Sequence, residues 1–107
     1  MTRPSTFEVM QTTFHYDAEH EWLEVSNAQM MKIDILLNQI SSFSYVDNGV
    51  YYLETTWYLE GDCDATLFIR TARDQGIDVQ WTEKDDGERS FIQSLKPIDP
   101  EPITLGI

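Results

Sequence analysis

His15, Asp17 and His20 form a His-x-Asp-x-x-His cluster with Glu19 and Glu21 beside it, and imidazole plus carboxylate is the ligand set that takes zinc, iron or manganese. The spacing matches no strong metal motif. His15 and Asp17 share a face of an extended chain, but His20 lies past an expected turn, so the competing reading is a polar loop between two strands. Cys63 sits between Asp62 and Asp64 at the expected start of a helix, where the helix dipole favours a thiolate. The flanking carboxylates oppose that effect, and neither His is close in sequence, so a packed Cys beside a helix cap is expected. Acid pairs such as Glu60 with Asp62, or Asp85 with Asp86, do acid–base chemistry only when an apolar pocket raises one of them; in turns they are solvated. The chain carries no Gly-rich phosphate loop, no Gly-x-Ser-x-Gly elbow and no paired Cys motif. These residues therefore imply no cofactor and no enzyme.

The aromatic set Phe43, Tyr45, Tyr52 and Tyr58 offers a different chemistry. Tyrosine gives large amphipathic contact area at small entropic cost and is enriched in binding hot spots. Packing under a helix accounts for the set equally well. A homodimer through this face is the simplest contact version, because one self-complementary patch suffices.

The elements that must position these residues follow from periodicity and turn chemistry. Residues 7 to 15 and Trp22 to Val25 suit a pleated surface and predict two strands. Ser26 or Asn27 caps a helix whose apolar positions are Met30, Met31, Ile33, Leu36, Leu37 and Ile40. Asn48-Gly49 supplies the two positive-φ residues of a tight hairpin turn, which pairs Asp47 with Val50, Val46 with Tyr51 and Tyr45 with Tyr52. One face then carries Ile40, Ser42, Ser44, Val46, Leu53, Trp57 and Leu59 and reads as core. The opposite face carries Phe43, Tyr45, Tyr52 and Tyr58 with Glu54 and Glu60, and reads as partly wet. Asp62 or Asp64 caps a second helix to about Gln75, with Ala65, Phe68, Ile69 and Ala72 on its apolar stripe and Gly76 as its stop. Ile77 to Thr82, a turn over 84–88, and Ser90 to Leu95 read as a second hairpin. Pro97, Pro100 and Pro102 make 96–107 an extended tail. The expectation is a single α+β domain over 1–107, in ββαββαββ order, with an antiparallel sheet of hairpins and two helices packed on one face.

The 107 residues include 41% hydrophobic and 12% aromatic side chains, enough for a core and against intrinsic disorder. Nineteen acids against seven bases give a net charge of −12, so free nucleic acid and anionic membrane are excluded as partners and a basic one is favoured. No apolar run is long enough to span a bilayer. With one cysteine and no signal-peptide pattern at the N-terminus, the cytoplasm is the expected compartment.

The blocks His20 to Val25, Ser41 to Tyr45 and Tyr58 to Ala65 resemble a group of short, uncharacterised bacterial and phage proteins. In that pattern the serine–tyrosine strand leads quickly into the Tyr-Leu-Glu block, whereas Val50 to Trp57 lengthens the connection here. The resemblance implies a small accessory protein and transfers no catalytic residue. The expected function is a non-enzymatic protein-binding accessory, adaptor or inhibitor, with a basic protein or a second copy as partner. One alternative is a nucleic-acid mimic, with Glu19 and Glu21 imitating successive phosphates along a strand. The other is a small metal-dependent or thiol enzyme.

Overall fold

The computed structural model describes residues 8–35, 39–41, 43–47 and 55–98. Among the described residues the fold is α+β, with a mixed six-stranded sheet and two α-helices. In chain order the elements are β1 (Glu8–Tyr16), β2 (Glu21–Ser26), α1 (Asn27–Ile33), β3 (Tyr45–Asp47), β4 (Thr56–Glu60), α2 (Asp64–Asp74), β5 (Ile77–Asp85), a 3-10 helix (Phe91–Ser94) and β6 (Lys96–Pro97). Across the sheet the order is β5-β1-β2-β4-β3-β6. Every neighbouring pair is antiparallel except β1 and β5, which run parallel from Glu8 opposite Ile77 to Tyr16 opposite Asp85. The expected antiparallel-only sheet is thus corrected. A helix following a strand returns the chain to the strand's starting end, so β5 must run in the direction of β4, which is also the direction of β1.

Each helix has a local cause. Ser26 Oγ accepts from the Gln29 N–H at 3.1 Å while Gln29 Oε1 accepts from the Ser26 N–H at 2.9 Å, the reciprocal capping box that starts α1. Asp34 ends it at φ 62°, shorter than the apolar spacing suggested: Met31 is exposed, and Leu36 and Leu37 lie outside the described residues. In α2, Ala65, Phe68 and Ala72 are buried as the stripe predicts, and Gly76 takes the left-handed turn at φ 78°. The expected cap does not form, since neither Asp62 nor Asp64 caps α2. Glu60 accepts from the N–H groups of Asp62 and Cys63 instead, both at 3.0 Å.

Three further expectations change. The Asn48-Gly49 turn and Tyr52 lie outside the described residues, but the register beside them is fixed: Tyr45 stands opposite Tyr58 and Val46 opposite Trp57, not Tyr52 and Tyr51. Tyr45's partner lies six residues further along, an even step that leaves every side chain of β3 and β4 on its expected face. The second hairpin is absent, because β5 continues to Asp85 and Ser90 to Leu95 forms a 3-10 turn capped by Ser90 Oγ. Residues 96–98 belong to the fold. Lys96 and Pro97 pair with β3 at the sheet edge, where a missing N–H is tolerated, and Ile98 is buried.

One core fills the space between the sheet and both helices, built from Leu23, Val25, Leu59, Ile77 and Val79 beneath Met30, Ile33, Phe68 and Ala72. Each large side chain here contributes about 1.5–3 kcal/mol by leaving water. A smaller cluster on the opposite face joins Trp22, Tyr58 and Ile92 to Tyr45 and Leu95. The segment that follows β5 therefore roofs the part of the second face around Trp22 and Tyr58.

Candidate functional site

The strand directions bring the β1–β2 turn, the 41–44 turn, the β4–α2 turn and the segment after β5 to one end of the sheet. Asp17 organises that end. Its Oδ1 accepts from the N–H groups of Glu19 and His20 at 3.0 and 2.8 Å, closing the turn, and its Oδ2 accepts from the Ser90 N–H at 2.9 Å and from Gln93 Nε2 at 2.6 Å. Burial alone would raise the Asp17 carboxyl, but these donors from Ser90, Glu19, His20 and Gln93 outweigh it and hold the group well below the usual carboxylate range.

His15 is 1% exposed on the second face. Its Nε2 meets Glu24 Oε1 at 2.6 Å and its Nδ1 meets Asp86 Oδ2 at 3.0 Å, while Ser90 Oγ donates to Asp86 Oδ2 at 2.6 Å. Both ring nitrogens face carboxylates, so the imidazole donates twice or one carboxyl carries the proton. Tyr58 and Phe91 close over the ring edge-on, at 5.7 and 5.6 Å. Burial, reinforced by Glu24, Asp47 and Asp86, pushes the Tyr58 hydroxyl up to about 12. The arrangement locks the roofing segment onto the sheet and offers a substrate no access to the ring.

The His15, Asp17 and His20 cluster consequently does not converge. Asp17 and His20 stay together, with His20 Nδ1 3.4 Å from Asp17 Oδ1, but His15 turns to Glu24 and Asp86. Among the described residues no group of three or more His, Cys, Asp or Glu side chains is arranged to hold a metal ion. Cys63 is exposed, not packed. Asp64 is buried and binds the 41–44 turn: its Oδ2 accepts from the Ser41 N–H at 2.9 Å, from Ser41 Oγ at 2.7 Å and from Ser44 Oγ. Glu19 lies in the turn and not on a strand, so the phosphate-like spacing of Glu19 and Glu21 along one strand is not present.

The expected tyrosine patch divides. Phe43 is 70% exposed, Tyr45 packs edge-on against Trp22 at 6.1 Å, and Tyr58 is buried between His15 and Phe91. A flat contact face through Tyr45 and Tyr58 is closed by the roof over it. The open surface lies at the sheet end instead. A cleft of about 620 Å³ is lined by Phe14, Tyr16 and Trp81, by His20, and by Asp17, Glu19, Glu21, Glu60, Asp62 and Glu83, with no Lys or Arg among the described residues there. Asp17 and Glu60 serve the turns, which leaves Glu19, Glu21, Asp62 and Glu83 as exposed carboxylates. Phe14 and Trp81 meet edge-on at 5.5 Å and form the apolar wall. A second hollow of about 400 Å³, holding Phe43, Tyr45 and Trp22, shares His20, Glu60 and Asp62 with the cleft. The buried Trp22 Nε1 has no hydrogen-bond partner among the described residues.

Sequence reasoning missed Glu24, Phe14 and Trp81, and it took Asp86 for a solvated turn acid, whereas that side chain is buried against His15 and Ser90. Alternation along β1 and β2 places Glu24 on the His15 face, but Asp86 and Trp81 come near only through the parallel pairing of β1 and β5. Comparison with known proteins finds no matching family model, no matching curated protein and no matching solved structure. Among the described residues no helix is long and apolar enough to cross a membrane.

Proposed function

We propose that this is a non-enzymatic binding protein, an accessory, adaptor or inhibitor, that takes a basic segment of a partner protein in the cleft at the sheet end. The observation that carries the reading is four exposed carboxylates set beside Phe14, Tyr16 and Trp81, with no Lys or Arg among the described residues that line the cleft. A guanidinium or ammonium group gains twice in such a place, from the carboxylates and from the ring faces. The net charge of −12 adds long-range attraction that raises the encounter rate at low salt. The adjoining hollow with Phe43 and Tyr45 extends the contact and gives the partner an apolar anchor.

An arginine-rich peptide titrated into the protein tests this by calorimetry and Trp fluorescence. Binding is expected at low salt, weakened at ~0.5 M salt and reduced about tenfold by E21K with D62K, the order of magnitude for reversing two charges near a bound cation. Retention of full affinity in that double variant, with the fold intact by circular dichroism, overturns the reading.

A further inference from the structure

β5 is an edge strand of nine residues, Ile77 to Asp85, and no described strand lies beyond it. It contains no proline and is not shortened, two of the devices that usually blunt an edge. The direction of its free backbone groups is fixed by the ladder to β1. The Glu8 N–H donates to the Gly76 carbonyl at 3.2 Å and the Asp86 N–H donates to the Tyr16 carbonyl at 2.8 Å, so even-numbered residues face β1. The N–H and C=O groups of Ile77, Val79, Trp81, Glu83 and Asp85 therefore point outward.

We infer that β5 pairs antiparallel with β5 of a second copy, about a two-fold axis at Trp81. In an antiparallel ladder, outward-pointing residues must stand opposite outward-pointing residues. A dyad at Trp81 meets that condition: Trp81 faces its own counterpart, Val79 faces Glu83 and Ile77 faces Asp85. The same register brings the intervening residues together as the closer, non-hydrogen-bonded pairs, with Cα atoms ~4.5 Å apart. Gln80 then lies opposite Thr82, and Asp78 opposite Lys84. That last pair joins opposite charges, and the symmetry forms it twice.

Lys84 and Asp78 are both exposed, and Lys84 has no ion-pair partner among the described residues. Trp81 is 43% exposed and would be covered at the dyad. The −12 charge of each copy opposes association, an effect largely screened beyond ~8 Å at physiological salt. The dyad and the cleft share Trp81 and Glu83, so the second copy sits beside the cleft.

Sedimentation equilibrium of the full chain at physiological salt tests it, under reductant because Cys63 is an exposed free thiol. The mass is expected to rise with concentration from 12.5 kDa toward twice that value. D78K alone and K84D alone each place like charges opposite one another at both pairs and are expected to weaken the dimer about ten- to a hundredfold. The double variant D78K/K84D restores the attraction and the dimer. Glu83→Pro removes an outward N–H without touching the β1 ladder and is expected to give a folded monomer. A monomer at every concentration overturns the inference, and so does a dimer indifferent to both single reversals, which would place the second copy elsewhere.

Discussion

Asp17 is the sharpest place to perturb, because one carboxylate joins the β1–β2 turn to the segment that roofs part of the second face. In Asp17→Ala the Ser90 N–H, in a residue 1% exposed, loses its acceptor, which costs about 1–3 kcal/mol for a stranded buried donor. Gln93 Nε2 and the N–H groups of Glu19 and His20 can turn to water, a loss of about 0.5–1 kcal/mol each. The sum is about 2.5–6 kcal/mol, a Tm decrease on the order of 15 °C for a domain of this size. Asp17→Asn keeps one acceptor oxygen and should lose about half as much. The pH dependence follows from the depressed folded value. Below the ordinary 3.8 the unfolded chain takes the proton more readily than the folded one, so the stabilisation is complete above about pH 4 and is lost as pH falls toward the folded value. Urea unfolding at pH 7 and near pH 3 should show the gap between wild type and variant narrowing with acid. A gap that stays constant, or a loss at neutral pH under about 1 kcal/mol, refutes the account of Asp17 as a charged acceptor.

Two other outcomes follow from the same kind of argument. Asp64→Ala strands the donors of Ser41 and Ser44 and should destabilise by about 2–4 kcal/mol. Amide hydrogen exchange in the 41–44 turn should accelerate more than exchange in β5. Tyr58 has a raised folded value, so the stability held by its neutral hydroxyl persists below pH 10 and disappears as pH rises from 10 to about 12. Ultraviolet titration should show one tyrosine ionising late, a step that is absent from Tyr58→Phe.

The sequence by itself determined the local pieces. Apolar spacing from Ala65 to Ala72 and the glycine at 76 specify α2, and Ser26 with Gln29 specifies the start of α1, because helix periodicity and capping act over a few residues. Alternation sorted the side chains of β3 and β4 onto their faces even though Tyr45 pairs with Tyr58 and not with Tyr52, since an even slip preserves sidedness. Composition fixed the sign of the charge but not where it gathers.

Only the tertiary structure decided the rest. His15 lies seventy-one residues from Asp86 in sequence, and Asp17 lies seventy-three from Ser90; both meetings depend on β5 returning parallel to β1 after α2. Nothing within either segment encodes that pairing, because strand partners are chosen by which buried faces fit together across the whole core. The same choice turned Asp64 from a helix cap into a buried acceptor, covered Tyr58, and drew Glu19, Glu21, Asp62 and Glu83 to the aromatic wall of one cleft.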